Sequence, residues 1–458
     1  MKKRIIEKVI ESPAQVLEKS IEGGQYIAKQ LPANSTKPVK KARDFWFLLG
    51  PGLTTGASDD DPSGIATYSQ TGAQYGFGLL WLAAFTLPFM AVVQEMCARI
   101  GLVTGKGLAA NIKTHFNAKI LYFATLLLFI ANTFNIGADI GAMANAIQLL
   151  YPQFHFYYLI VGITFIILLL QIFTPYIRYA RILKYLALIL FAYILSAILT
   201  HPNWHTILHY SVLPHITFDK NQLLLICAIL GTTITPYLFF WQTAQEIEEE
   251  ISEGQTNLKL RKISGPTKMK RMRIDVWVGM SLSNIVMFFI ITACASVLFK
   301  HGITNITTAA QAAQALRPFA GKLTYFLFAI GIIGVGLLAI PVMAAASAYA
   351  VSESIGKSHQ GLNVKLNKAL DFYGVIIISM LLGLLMNFIG FNPIKALIYS
   401  AVLNGMIAPI IIALIILIAR NKKIMGEWKN SKISSMLAWF LTVIMSIAGL
   451  AAIYSLFP

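Results

Sequence analysis

The stretch that decides the fold is Gly50-Pro51-Gly52-Leu53-Thr54-Thr55-Gly56-Ala57-Ser58-Asp59-Asp60-Asp61-Pro62-Ser63-Gly64. It follows the apolar run 45–49 and leads into Ile65-Ala66-Thr67-Tyr68. Three consecutive aspartates therefore sit inside a membrane-grade sequence. A charged side chain at bilayer depth costs about 3 kcal/mol on insertion scales, and such residues mark ion or substrate pathways. The neighbouring proline and glycines disfavour a continuous helix. An interrupted spanning helix exposes backbone groups, which are tolerated only where they line a cavity or are buried in protein. The stretch reads as a cation site in a broken transmembrane helix.

The rest of the composition agrees. Of 458 residues, 57% are hydrophobic and 12% charged, which excludes a soluble domain and indicates a polytopic, all-α membrane protein. The formal net charge is +17, but the bases cluster between apolar runs. That is the pattern of membrane orientation rather than of nucleic-acid binding. Cys97, Cys227 and Cys294 lie within apolar runs with no CxxC pair, so they read as buried thiols without a disulfide or zinc role. The first 45 residues are polar and basic, a cytoplasmic tail rather than a cleavable signal peptide. Within it, 5–31 is loosely amphipathic and reads either as a surface helix or as a disordered tail.

Apolar runs long enough to span number about eleven: 46–68, 77–101, 119–150, 157–174, 181–200, 222–246, 276–299, 323–351, 370–390, 394–419 and 435–457. Bases fill alternate connections. Lys106, Lys113 and Lys119 lie between the second run and the start of the third; Arg178, Arg181 and Lys184 lie about the start of the fifth. Seven bases from Lys259 to Arg273 separate the sixth from the seventh; Lys357, Lys365 and Lys368 follow the eighth, and five from Arg420 to Lys432 follow the tenth. The other connections are poor in base. This alternation puts the N-terminus in the cytoplasm and, with an odd count, the C-terminus outside.

The sixth run contains Gly231-Thr232-Thr233-Ile234-Thr235-Pro236-Tyr237. Like the first, it has glycine, a Thr-Thr pair and a mid-span proline. Two five-span halves that start this way enter the membrane from opposite sides. Paired interrupted spans are the sequence sign of an inverted-repeat transporter with its site at the midplane.

At this point the chain resembles the NRAMP family of divalent-metal transporters. Residues 50–107 carry most of the likeness: Gly-Pro-Gly, then Asp61-Pro62-Ser63-Gly64, Ala66-Thr67, Gly72-Ala73-Gln74-Tyr75-Gly76 and Leu79-Leu80-Trp81. Thr235-Pro236, Ile274-Asp275-Val276 and Leu327-Phe328-Ala329-Ile330-Gly331 extend it. The resemblance implies a LeuT-type inverted repeat of spans 1–5 and 6–10 plus one extra span. It also implies transport of a divalent metal, with a tail (1–45) ahead of a transmembrane transport domain (46–458). The family's first-span motif is Asp-Pro-Gly-Asn and its sixth-span motif Met-Pro-His. Here the asparagine position holds Gly64, the methionine position Thr235 and the histidine position Tyr237, and a second histidine about a turn on is Gln242. This pattern is similar to the NRAMP-related magnesium transporters. The chemistry agrees, because a thioether helps select soft transition metals, whereas carboxylate, carbonyl and water suit magnesium and manganese. Magnesium keeps several waters and binds through one or two carboxylates. The expected cargo is therefore Mg²⁺ or Mn²⁺, carried partly hydrated.

Asp61 is the leading ligand candidate; the plainer reading is a helix cap before Pro62, and the two roles can coexist. Asp59 and Asp60 add negative potential or line the access path, or else face a basic partner. Ser58 offers its carbonyl where the first half-helix ends. Gly64 widens the pocket. Thr232 and Thr235 offer oxygens to the ion, or their hydroxyls satisfy backbone freed by Pro236. Gln242 either reaches an inner vestibule or is a helix-contact amide. Asn404, like Asn284, either approaches the ion or bonds between helices. Glu246, Glu248, Glu249, Glu250 and Glu253 follow the sixth run. Acids oppose the macrodipole there, so they read as a funnel at the inner mouth or as partners of the basic loop from Lys259 to Arg273. Glu95 and Arg99, spaced i,i+4, read as a structural pair.

In the third span, family members carry a pair of acids that couple metal to protons; a gapless reading puts Asn132 and Asn135 there. Asparagine releases no proton, so uptake driven by the membrane potential is expected. Asp139, one turn beyond, keeps the alternative of a proton-coupled Mn²⁺ or Fe²⁺ symporter open. A triple aspartate repels the carboxylate of an amino-acid substrate, and no nucleophile–base pair points to an enzyme. The expected partners are the divalent ion and the lipid bilayer of the plasma (inner) membrane, crossed many times. Neither nucleic acid nor a resident cofactor is expected, and the chain is expected to act as a monomer.

Overall fold

The computed structural model describes residues 45–46, 48–217, 219–255, 265–306, 308–357, 361–390 and 393–456. Nearly all of the tail expectation, and the first bases of the Lys259–Arg273 loop, lie outside them. The membrane body begins at Gly50. Its helices are α1 (Pro51–Asp59), α2 (Pro62–Tyr75), α3 (Trp81–Thr104), α4 (Leu108–His115), α5 (Ala118–Leu150), α6 (Phe156–Phe173), α7 (Tyr176–Leu186) and α8 (Phe191–Ile198). They continue with α9 (Trp204–Val212), α10 (Lys220–Thr233), α11 (Pro236–Ser252), α12 (Pro266–Val297), α13 (Ala309–Ser354), α14 (Leu370–Phe388), α15 (Pro393–Arg420), α16 (Lys422–Met425) and α17 (Lys432–Leu456). Among the described residues, ten helical runs are long and apolar enough to cross a membrane. The pair α1 and α2, each too short alone, makes the eleventh.

Both half-helix pairs break at proline for the same reason. The residue before a proline is pushed out of the α region, and the proline itself suits the first turn of the next helix. Asp61 accordingly takes φ −68°, ψ 166°, and Thr235 takes φ −90°, ψ 134°. A third interruption lies in α13 at Gly321, φ 84°, ψ 175°. That region is essentially open to glycine alone, so the crossing proper starts after Gly321, near the expected 323. The seventh crossing starts earlier than its apolar run because the basic stretch from Pro266 is already helical.

The helix α12 is the rail along which the first crossing is laid. Gly52 and Gly56 of α1 meet Val276 and Gly279 of α12 backbone to backbone, and Gly72 of α2 meets Ile291. A β-carbon at Gly56 or Gly279 would overlap the facing chain. Small residues are what permit such an approach between membrane helices. On the outside of the body, Tyr158, Phe165, Leu208, Ile389 and Leu450 are exposed, as a lipid-facing surface requires.

Candidate metal-ion site

The first break is built by Asp61. One of its carboxylate oxygens, Oδ1, accepts from the Gly64 N–H at 2.6 Å and the Ser63 hydroxyl at 2.7 Å. The carboxylate thus caps α2, as its plainer reading holds, and is pinned by that cap while being 1% exposed. A rigidly held anionic oxygen at a helix break is the geometry a cation ligand needs.

The second break comes to meet it. The point a β-carbon on Gly64 would occupy lies 3.2 Å from the Thr232 hydroxyl and 3.3 Å from Asp61 Oδ1. Glycine at 64 therefore lets hydroxyl and carboxylate oxygens face one small volume, and an asparagine there would have to displace them. The Tyr237 hydroxyl donates to the Ser58 carbonyl at 2.9 Å, tying the end of α1 to the start of α11. The Tyr68 and Thr233 hydroxyls are 3.2 Å apart and tie α2 to α10. Thr235 is buried and its hydroxyl does not cap α11. The lining supplied by these two breaks is carboxylate, carbonyl and hydroxyl oxygen.

Asp59 and Asp60 are fully buried. Ser283 of α12 donates to Asp59 at 2.8 Å and reaches Asp60 at 3.4 Å. One oxygen of each, Asp59 Oδ1 and Asp60 Oδ2, has no hydrogen-bond partner. Among the described residues neither makes an ion pair. Where the basic-partner alternative looked for a lysine or arginine, the described residues place the Ser283 hydroxyl. Asp139 of α5 is buried within electrostatic reach of Asp61 and Tyr237, with the Ser63 N–H of α2 turned towards it. Among the described residues no three His, Cys, Asp or Glu side chains converge at metal-binding spacing, so an ion here must draw on neutral oxygens as well.

The model of the Natural resistance-associated macrophage protein-like (Nramp) family matches residues 52–455. The chain belongs to the Nramp family. It is 24% identical over 414 residues to a divalent metal cation transporter MntH of Caldanaerobacter subterraneus, covering 89% of this chain and 93% of that one. A second transporter of that name, from Clostridium acetobutylicum, is 24% identical, with 90% and 91% covered. Among solved structures, a manganese transporter of Eremococcus coleocola superposes with TM-score 0.67 at 18% identity, covering 93% of this chain and 89% of that one. A nucleobase-cation-symport-1 family transporter in a closed conformation gives TM-score 0.53 at 12% identity, with 89% and 92% covered. These likenesses fix the fold: an all-α, LeuT-type arrangement in which the Nramp chain breaks its first and sixth crossings.

Further candidates stand around this Nramp site in different roles. Gln242, fully buried on α11, donates to Glu246 at 2.8 Å, while its own carbonyl oxygen is unpartnered. Glu248 points elsewhere: it accepts from Tyr349 at 2.6 Å and from the Leu362 N–H at 2.8 Å, and so anchors the loop after α13. Glu250 and Glu253 pair with Lys268, as the loop-pairing alternative has it. Glu249 also stands within electrostatic reach of Arg271 and Lys268, while Glu246 is tied to Gln242. Asn404 of α15 is buried with its side-chain oxygen unpartnered. Asn284 bonds Thr86 at 2.7 Å and is a helix-contact amide. Asn132 spends its amide on Met343 and Ser347 of α13, at 3.2 and 2.9 Å.

Two roles escaped the sequence reading. Asp275 of α12 accepts from the N–H groups of Gly50, Gly52 and Leu53 at 2.8, 2.7 and 3.1 Å, capping α1 from another helix. That of Ser283 is the other. An aspartate entering an apolar span was a visible signal for the first; nothing local marks the second.

Proposed function

We propose that the chain moves a divalent metal cation across the plasma membrane, with Asp61 as its one carboxylate ligand. Mg²⁺ and Mn²⁺ are the preferred cargo. The N-terminus faces the cytoplasm and the C-terminus the outside. The observation that carries this reading is the approach of the Thr232 hydroxyl and Asp61 Oδ1 to one point beside Gly64. Ser58, Thr235 and Asn404 complete the candidate ligand set, and Asp59, Asp60, Gln242 and Glu246 the access path. An oxygen-only set around one carboxylate favours a hard ion that keeps part of its water. Membership of the Nramp family and the likeness to relatives named divalent metal cation and manganese transporters support the coarser half of the proposal. The preference for magnesium rests on the ligand chemistry alone.

Metal competition in proteoliposomes tests it. Wild type is expected to take up Mg²⁺ and Mn²⁺, with little competition from Cd²⁺, and Asp61→Ala to lose uptake at least a hundredfold. Uptake of Fe²⁺ or Cd²⁺ without Mg²⁺ would falsify the assignment.

A second reading, proton-coupled Mn²⁺ uptake, is favoured by one observation: the buried carboxylate of Asp139 within electrostatic reach of Asp61. A buried acid with no cationic partner among the described residues is what a proton carrier requires.

A further inference from the structure

A cleft of about 640 Å³ opens at the base-rich end of α3, between it, the start of α12 and the segment that leads into α17. Arg99, Lys270, Arg273 and Lys429 line it, against the single acid Glu427. Arg99 is the buried part of this set, its side chain 9% exposed. Its Nη2 binds Glu95 at 2.7 Å, and its Nε has no hydrogen-bond partner. Glu95 also accepts from Arg273 at 3.0 Å and from the Trp277 indole at 3.0 Å. One carboxylate thus serves two guanidiniums, and the pair keeps a net positive charge. Lys270 and Lys429 are exposed at the rim.

The wall between these charges is apolar. Met269, Met272, Ile274 and Trp428 line the same cleft, and Met269 and Met272 continue into the core formed by Met90, Ala98, Leu102 and Met280. The N-termini of α12 and α17 also meet there, at Pro266 and at Ser431 with Ser434. Helix N-termini favour an anion. A soluble phosphate would use the charges but not the methionine, isoleucine and tryptophan wall. A phospholipid uses both: its phosphate meets the bases and its glycerol and upper acyl chain meet the wall. The cleft lies where the spans end among the orientation-setting bases, the level at which headgroups stand.

We propose that this cleft is a binding site for the headgroup of an anionic phospholipid, separate from the ion pathway and independent of which metal is carried. The test is native mass spectrometry of the full-length protein incubated with phosphatidylglycerol and phosphatidylcholine. Wild type is expected to retain phosphatidylglycerol at least tenfold more strongly. Each juxtamembrane base contributes about fivefold in affinity, so K270Q/K429Q should weaken retention about 25-fold while leaving the Glu95–Arg99–Arg273 network in place. K365Q/K368Q removes two exposed lysines outside the cleft and should change nothing. If the double variant does not fold, Lys429→Gln alone should still cost about fivefold. Equal retention of the two lipids overturns the proposal. So does an equal loss in K365Q/K368Q, which would mean diffuse surface attraction, or full displacement by millimolar inorganic phosphate, which would mean a soluble-anion site.

Discussion

Tyr237 shows how one side chain can set the ligand strength of another residue's backbone. Its hydroxyl donates to the Ser58 carbonyl at 2.9 Å, using one of the two lone pairs that a cation would approach. The bond competes with a metal that seeks direct coordination and matters less to one that keeps its water. Magnesium dehydrates reluctantly; a softer divalent ion sheds water more readily. Tyr237→Phe is therefore expected to raise the ratio of Mn²⁺ to Mg²⁺ uptake about fivefold, the equivalent of about 1 kcal/mol for one hydrogen bond. Uptake competition between the two ions measures it, and an unchanged or lowered ratio would mean that the Ser58 carbonyl takes no part. Only part of this was legible in the sequence. Tyr237 stood out as a departure from a histidine-bearing motif, and Ser58 as the last carbonyl before the break. That the one bonds the other, 179 positions away, leaves no local trace. The capping role of Asp61 was legible because its partners, Ser63 and Gly64, are its neighbours in the chain.

At the scale of the element, the exposed backbone of a half-helix is satisfied from outside it. The first turn of α1 carries N–H groups with no partner in the helix, and Pro51 removes one of them. Asp275 takes three that remain, from a helix more than two hundred residues away. Lys184 stands within electrostatic reach of that carboxylate. Asp275→Asn keeps the size but turns an amide towards donors, so one or more of the three bonds is lost. Hydrogen bonds to a charged acceptor contribute about 1.5–3 kcal/mol each. The variant is expected to melt several degrees lower in detergent and to bind cargo more weakly, because α1 positions Ser58. Melting at the wild-type temperature would show that the cap does not hold α1. The breaks themselves were readable from proline; the span starts were less so. Hydrophobicity locates the bilayer-embedded part of a helix, not its polar first turns, which is why α12 begins at Pro266 rather than 276. The short α4 and α9 were missed because neither is long or apolar enough to signal itself.

For the whole molecule the question is what drives the ion. Asp59, Asp60 and Asp61 lie buried with no ion-pair partner among the described residues, with the Ser283 hydroxyl on Asp59 and the Asp139 carboxylate within electrostatic reach of Asp61. On the proposed potential-driven reading, the ion enters without a proton in exchange. Each elementary charge moved through 100 mV gains about 2.3 kcal/mol, so a divalent ion gains about 4.6 kcal/mol. That supports accumulation of order a thousandfold. The asparagines at 132 and 135 fit this, since Asn132 is committed to Met343 and Ser347 on α13. Asp139, a buried acid within electrostatic reach of Asp61, opposes it. The two readings part in proteoliposomes with an imposed potential, internal negative, and a pH dye inside. Potential-driven uptake predicts Mg²⁺ entry that scales with voltage, no acidification, and an Asp139→Asn variant that still transports. Proton coupling predicts acidification in step with metal entry, lost together with uptake in Asp139→Asn. Acidification that disappears in that variant would transfer the driving role from the potential to the carboxylate of α5.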